Sequence, residues 1–353
     1  DVCSSDLVSM EKMFSNCKKL EILNISNFDV SSVTNMNSMF KGCIKLNSIN
    51  LFNKKTFSLI NMGSIFQSCS SLESIDLSNF ETSSVQFMND LFHDCTSLIS
   101  PTKFEFNTEK VIKMESMFEN CKSFKTLNLS SFYTPSLRQF YSMFSGCTSM
   151  ATIDISNFDT FQITNFANLF VNCNALKTIN LKNLITKMVT NMTQMFCNCS
   201  LLATIDISHF DTQRLIEMNS MFKGCSSLTT ATISNLLNPQ VEDMSNMFSG
   251  CKKLKTLNIK NFGTSNVKYM NGMFSGCLGF TTINLNVFNT KNVISMNSMF
   301  SGCSNLVSID ITKFNTSNVL DMGSMFADCT SLNSIDLSNF ETSKVTNMDS
   351  LFL

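Results

Sequence analysis

Tryptophan is absent from this 353-residue chain, prolines number only three (Pro101, Pro135 and Pro239), and there are two histidines. Charged residues are scarce at 15% and nearly cancel, leaving a net charge of −1. No basic stripe is available to neutralise phosphates, which argues against a nucleic-acid partner. No uninterrupted apolar run reaches the length needed to span a membrane. The histidines, His93 and His209, stand in unrelated local contexts, so no Cys/His or Ser/His/Asp pairing recurs. Glycine-rich phosphate loops are missing as well. The chain therefore reads as non-enzymatic, with no cofactor.

What the sequence does have is a period. Thirteen cysteines stand 26 residues apart, from Cys17 and Cys43 through Cys303 to Cys329, without an insertion or deletion. A fixed period of this length marks a repeat array. With Cys as position 1, position 4 is always large and apolar (Leu20, Phe124, Met150), and position 17 is always Val, Leu or Ile. Position 20 is Met except at Phe140 and Phe166, and position 24 is Phe from Phe40 to Phe352.

Two periodicities lie inside the unit. Positions 17, 20, 23, 24 and the next Cys are three or four apart, as in Val293, Met296, Met299, Phe300 and Cys303. That spacing predicts one face of a short helix. Gly, Asn, Asp or Ser precedes each Cys (Gly42, Asn172, Asp328), which fits a left-handed C-terminal cap. Positions 7 and 9 alternate with polar 6, 8 and 10, as in Ser334-Ile335-Asp336-Leu337-Ser338, predicting a short half-buried strand. The expected fold is α/β, a leucine-rich-repeat solenoid of about 13 coils. Each coil carries one short parallel strand and one short helix. A single coil cannot offset its own ordering entropy, so neighbours must share their apolar faces.

The segment Leu72-x-x-Ile75-x-Leu77-Ser78-Asn79-Phe80, and units such as Met299-Phe300-Ser301-Gly302-Cys303-Ser304-Asn305-Leu306, resemble the BspA-type leucine-rich repeats over residues 8–353. The resemblance implies adhesion or protein binding at a cell surface and transfers no catalytic residue. Two coils depart from it: Ser100-Pro101-Thr102-Lys103 interrupts one strand, and Lys54 stands in the Phe column of another. Both are expected to be bent or loosened.

The repeated columns divide into scaffold and candidates. The Cys column, one thiol per coil on the apolar stripe, reads as packed core rather than metal site or disulfide ladder. Met and Phe columns used in every coil read likewise as core. Threonine at position 14 (Thr82, Thr160, Thr264, Thr342) reads as turn former or backbone cap, with an ice-binding array as a remote alternative. Cys197 falls at a normally polar position, which makes it a candidate exposed, reactive thiol. The strand columns 6 and 8 point away from the core. There Asp76, Asp154, Asp206, Asp310, Asp336, Asn180, Asn284, Thr152, Thr204 and Ser308 form either a solvated strand face or a concave ligand surface.

The pattern is already under way at Leu7 and Met10 and stops at Phe352, so residues 8–353 are expected to be one solenoid lacking both caps. Residues 1–7, including Cys3, match the translation of a common sequencing-library adapter and are set aside as a non-native scar. The expected partner is a protein or a glycan, and the expected location is the cell surface or secreted. The alternative is a cytoplasmic scaffold or a mechanical spacer, which fifteen mostly unpaired cysteines would suit.

Overall fold

The computed structural model describes residues 7–99 and 104–353. The expectations for residues 1–6, Cys3 among them, and for Ser100-Pro101-Thr102-Lys103 lie outside the described residues. The chain divides into two compact units: Asp1–Ile163 with Leu169–Leu184, and Thr164–Asn168 with Ile185–Leu353.

The first unit carries β1 (Ile22–Asn24), β2 (Ser48–Asn50), β3 (Thr152–Ile153) and β4 (Thr178–Ile179). The second carries β5 (Thr204–Asp206), β6 (Thr230–Thr232), β7 (Thr256–Asn258), β8 (Thr282–Asn284) and β9 (Ser308–Asp310). All pairings are parallel and in repeat register: β1 with β2, β3 with β4, β5 with β6 and β7, β8 with β9. Each unit is thus a β-solenoid. Among the described residues only nine coils form a strand, so thirteen regular strand-bearing coils are not reproduced.

The predicted helix is not there. Among the described residues no helix forms, although every member of the stripe is buried: Val293, Met296, Met299, Phe300 and Cys303 are at most 1% exposed. The physical reason is a second left-handed column. Position 26 is left-handed as expected (Asn16, Gly42, Asn172, Gly302), but position 22 is too, at Ser38, Ser116, Ser220 and Ser298 among others. A left-handed residue every fourth position breaks a right-handed helix before it completes a turn. Alternate amides then take different partners. Met36, Ser38, Phe40 and Gly42 donate to Asn61, Gly63, Ile65 and Gln67 of the next coil, at 2.7–2.9 Å. Met39, Lys41 and Cys43 donate three residues back, to Met36, Ser38 and Phe40. The stripe is a run of tight turns that also serves as an inter-coil ladder. At position 19 parallel bridges continue it, from Ser9 to Gln139 in the first unit and from Asn165 to Asn347 in the second.

Core columns stack on themselves. Position 24 phenylalanines stack with nearly parallel rings, the centroids 5.5 Å apart at Phe40–Phe66 and 5.4 Å at Phe222–Phe248. Each core thiol reaches the phenylalanine carbonyl one coil back: Cys225 Sγ donates to Phe196 O at 3.1 Å, and Cys303 Sγ to Phe274 O at 3.2 Å. The threonine at repeat position 14 staples adjacent coils. Thr290 Oγ1 donates to Asn315 O at 3.0 Å and accepts the Asn315 amide at 2.7 Å. Of the position-14 threonines singled out above, Thr82, Thr160 and Thr264 are buried and so cannot form an ice-binding plane, while Thr342 is exposed.

The coil after Cys43 is repaired rather than loosened. Phe52, two positions early, is fully buried and packs edge-on against Phe80 at 5.2 Å. Lys54, freed from the core, reaches Asp29 Oδ2 at 2.5 Å. In the coil after Cys95, Phe104 and Phe106 are both buried, and Phe104 meets Phe132 edge-on.

Candidate binding face

All ten candidate residues of the strand columns are exposed: Asp76, Asp154, Asp206, Asp310, Asp336, Asn180, Asn284, Thr152, Thr204 and Ser308. Inward-facing neighbours explain why, since Ile153, Ile205, Ile283 and Ile309 are buried between them. Pairing sets several side by side. Thr152 aligns with Thr178, Thr204 with Thr230 and Thr256, Thr282 with Ser308, and Asn284 with Asp310. Asp76 and Asp336 occupy the equivalent place in coils that form no strand.

Position 8 carries a second duty that alternation alone does not reveal. Each Asp or Asn candidate uses Oδ1 to accept the backbone amide two residues on. Ser78, Ser156, Ser208 and Ser338 donate to Asp76, Asp154, Asp206 and Asp336 at 2.9 Å, and Thr312 donates to Asp310 at 3.1 Å. Lys182 and Asn286 donate in the same way to Asn180 and Asn284. These Asx turns fold the chain away from the strand and fix each side chain. They also hold carboxyls below the usual carboxylate range. The cause is the Ser78 amide at Asp76, the Ser156 amide at Asp154, the Thr312 hydroxyl at Asp310 and the Ser338 hydroxyl at Asp336. Within each unit the face is a strip of hydroxyls flanked by amide oxygens and by carboxylates, the latter ionised at neutral pH. The signal was present in the sequence as Asp-x-Ser and Asp-x-Thr.

The thiols take no part. Among the described residues no group of three or more His, Cys, Asp or Glu could hold a metal ion, and no disulfide forms. Burial pushes the core thiols up, Cys43 to about 11 and Cys147 to about 12. The expectation of an exposed Cys197 is overturned. It is 7% exposed and its thiol is likewise raised by burial. The cause is the turn structure, in which position 25 packs close beside the ladder instead of pointing off a helix.

His93 sits between two carboxylates, with Nδ1 3.0 Å from Asp90 Oδ1 and Nε2 3.6 Å from Asp94 Oδ2. The Asp90 hydrogen bond raises its pKa. His209 lies edge-on to Phe210 at 4.9 Å. The two histidines remain in separate coils, as the sequence implied.

A family described as Mycoplasma protein of unknown function, DUF285, matches residues 8–127, 102–205, 166–282, 190–306 and 279–353. Among solved structures, a leucine-rich repeat protein from Bacteroides ovatus is 18% identical, covering 97% of this chain and 87% of its own, with a TM-score of 0.50. A leucine rich cell surface protein from Faecalibacterium prausnitzii is 17% identical over 82% of this chain and 83% of its own, at 0.42. A leucine-rich repeat protein from Eubacterium ventriosum is 15% identical over 98% and 79%, at 0.37. The first similarity establishes the leucine-rich-repeat fold, and the other two carry no further argument. The BspA-type resemblance holds at that level. No curated protein matches the chain.

Proposed function

This chain belongs to the family described as Mycoplasma protein of unknown function, DUF285, and from that premise we propose that it is a non-enzymatic binding module. It recognises a protein or glycan through the polar strand face. One observation carries the reading: hydroxyl, carboxylate and amide side chains exposed in register, each acidic or amide one pre-fixed by its own Asx turn. A surface whose rotamers are already ordered loses little entropy when a partner docks. The extracellular location is part of the same proposal, supported by the resemblance to surface repeat proteins. The core thiols do not oppose it, since those buried between Cys43 and Cys303 are poor nucleophiles and would survive an oxidising exterior, although Cys17 is exposed.

The test keeps every turn intact. Asp154→Asn, Asp206→Asn and Asp310→Asn together remove three charges, while Asn180 and Asn284 already make the same turn bond. The chain is assayed against purified cell-surface proteins and neutral glycans on a sensor surface. It is expected to bind at least one, and the triple variant to lose roughly tenfold, consistent with three weakened polar contacts. Unchanged binding after all three substitutions would remove the strand face as the contact.

A further inference from the structure

We propose that the turn side of the first unit carries a proton-operated clasp between the coils that begin at Cys69 and Cys95. His93 is its titrating part. It grips two carboxylates of its own coil, faces acidic groups of the next, and holds the seam tightest in mildly acidic surroundings.

The group is local to this seam. Position 22 is Asp only at Asp90, and position 25 is His only at His93 and acidic only at Glu119. No lysine or arginine occurs between Thr56 and Thr102, so the coil of His93 holds no fixed cation. Its backbone sets the arrangement. Asp90 and Asp94 are left-handed, at φ 53° and 61°, and the His93 amide donates to Asp90 O at 3.2 Å. One tight turn thereby brings both carboxylates to the imidazole, at 3.0 Å for Nδ1 to Asp90 Oδ1 and 3.6 Å for Nε2 to Asp94 Oδ2. Each carboxylate is braced through its other oxygen. Asn89 Nδ2 donates to Asp90 Oδ2 at 3.0 Å, and Asn120 Nδ2 crosses the seam to Asp94 Oδ1 at 2.8 Å.

Two more carboxyls come from the next coil. The Asp90 and Asp94 amides donate to Glu115 O at 3.0 Å and Glu119 O at 2.8 Å, and the Glu119 carboxyl acts on His93. Glu115 Oε2 is buried without a hydrogen-bond partner. On the preceding coil Gln67 and Ser68 are neutral, with Ser68 Oγ 3.5 Å from Asp94 Oδ2. Tyr141 stands one coil beyond Glu115, while Lys41 and Lys113 act on Asp90 and Glu115 respectively.

The charge balance runs one way. With His93 neutral, the carboxylates crowd the seam with no cation among them. Protonation places one there and makes both ring nitrogens donors. The Asp90 hydrogen bond raises His93 above its ordinary value against the effect of burial, helped by Glu119 and Asp94. Burial raises Glu115 as well. Both groups therefore hold protons more tightly in the folded chain than in the unfolded one. For His93 the stabilisation is complete below about pH 6.5 and is lost as pH rises through the raised folded value.

The experiment is amide hydrogen exchange on the whole chain under reductant at about pH 5.5 and about pH 8, corrected for intrinsic exchange rates and kept below the thiol range. The reporters are the Asp90, Phe92 and Asp94 amides, which cross the seam to the Glu115, Met117 and Glu119 carbonyls. Their protection should fall roughly tenfold towards the higher pH, as for a proton held tenfold more tightly by the folded seam. The Met36, Ser38 and Phe40 amides should change little, because residues 35–42 and 61–68 contain no His, Asp or Glu. His93→Gln keeps a polar side chain that cannot titrate, and its reporters should be equally protected at both pH values. In the parent, the His93 ring proton resonance, told from that of His209 by His209→Gln, should titrate above about pH 6.5. That reading, like the parent's exchange profile, decides the matter even where His93→Gln fails to fold. The proposal is overturned by equal reporter protection at both pH values in the parent, by a fall that persists in His93→Gln, or by titration of His93 at or below its ordinary value.

Discussion

The two long sides of each coil are built on opposite economies. On the turn side, side chains are buried and identical from coil to coil, and their polar work is done by backbone. Phe300 and Phe326 stack at 5.5 Å while their amides and carbonyls bridge neighbouring coils. On the strand side only two or three residues pair per coil, and exposed side chains do the polar work through Asx turns. Cohesion is thus concentrated in buried columns whose chemistry is monotonous.

The largest test of this asymmetry is alkaline pH. Ten core thiols, from Cys43 to Cys303, are buried and raised above their ordinary value, with Cys303 pushed up to about 12. An unfolded thiol titrates near 8.5, so the folded state holds protons that the unfolded state releases. The stabilisation is complete below pH ~8.5 and is lost as pH climbs towards the folded values. Each thiol removes about 1.4 kcal/mol per pH unit in that window. Several such thiols acting together make the loss of stability with rising pH steep. Under reductant, urea midpoints followed by circular dichroism should collapse between pH 8.5 and about 10. A flat profile there would mean the thiols are reached by water and the turn side is not a sealed core.

Burial was legible in the sequence because it depends on spacing alone. Val293, Met296, Met299, Phe300 and Cys303 fall on one side whether the backbone is helical or a string of tight turns, since both advance three or four residues between like-facing side chains. Backbone conformation was not legible, because it hinges on Ser298 and its column adopting a left-handed conformation that serine rarely takes. The parallel strands and exposed columns were readable from Ser-Ile-Asp-Leu-Ser alternation. The turn bond at Asp310 does not follow from alternation, which fixes which way the side chain points and not what its oxygen accepts. The shift of Phe52 into the place vacated at Lys54 was invisible column by column: the core needs one large apolar side chain there, and either position can deliver it.

A smaller contrast comes from single substitutions on the two sides. Gly302 is left-handed at φ 73°, and a Cβ there would meet only Gly276, no closer than 3.6 Å. Space is adequate and only the dihedral is strained, so Gly302→Ala should cost ~1–2 kcal/mol. Gly302→Asn should cost less, because Asn16, Asn120 and Asn172 already hold this conformation in other coils. Ser308→Ala, on the strand face, should change stability by no more than ~0.5 kcal/mol. Equal costs for Gly302→Ala and Ser308→Ala in urea unfolding would erase the asymmetry between the two sides.

The smallest effect should lie on the acid side and belong to the strand face. Asp76, Asp154, Asp310 and Asp336 have folded pKa values below the ordinary carboxylate range, held there by the Ser and Thr groups they accept from. Their contribution is therefore present above pH ~3.9 and fades as pH falls through the lowered folded values, the reverse of the thiols. These groups are exposed and screened, so Asp154 contributes no more than ~0.5 kcal/mol. Asp154→Asn keeps the turn and deletes the titration. The melting temperatures of parent and variant should therefore differ least near pH 3, where the parent carboxyl is losing its charge, and most near pH 6. Identical differences at both pH values would show that the Ser156 amide does not favour the carboxylate. The strand face would then lose the electrostatic fixation on which its role as a preformed surface depends.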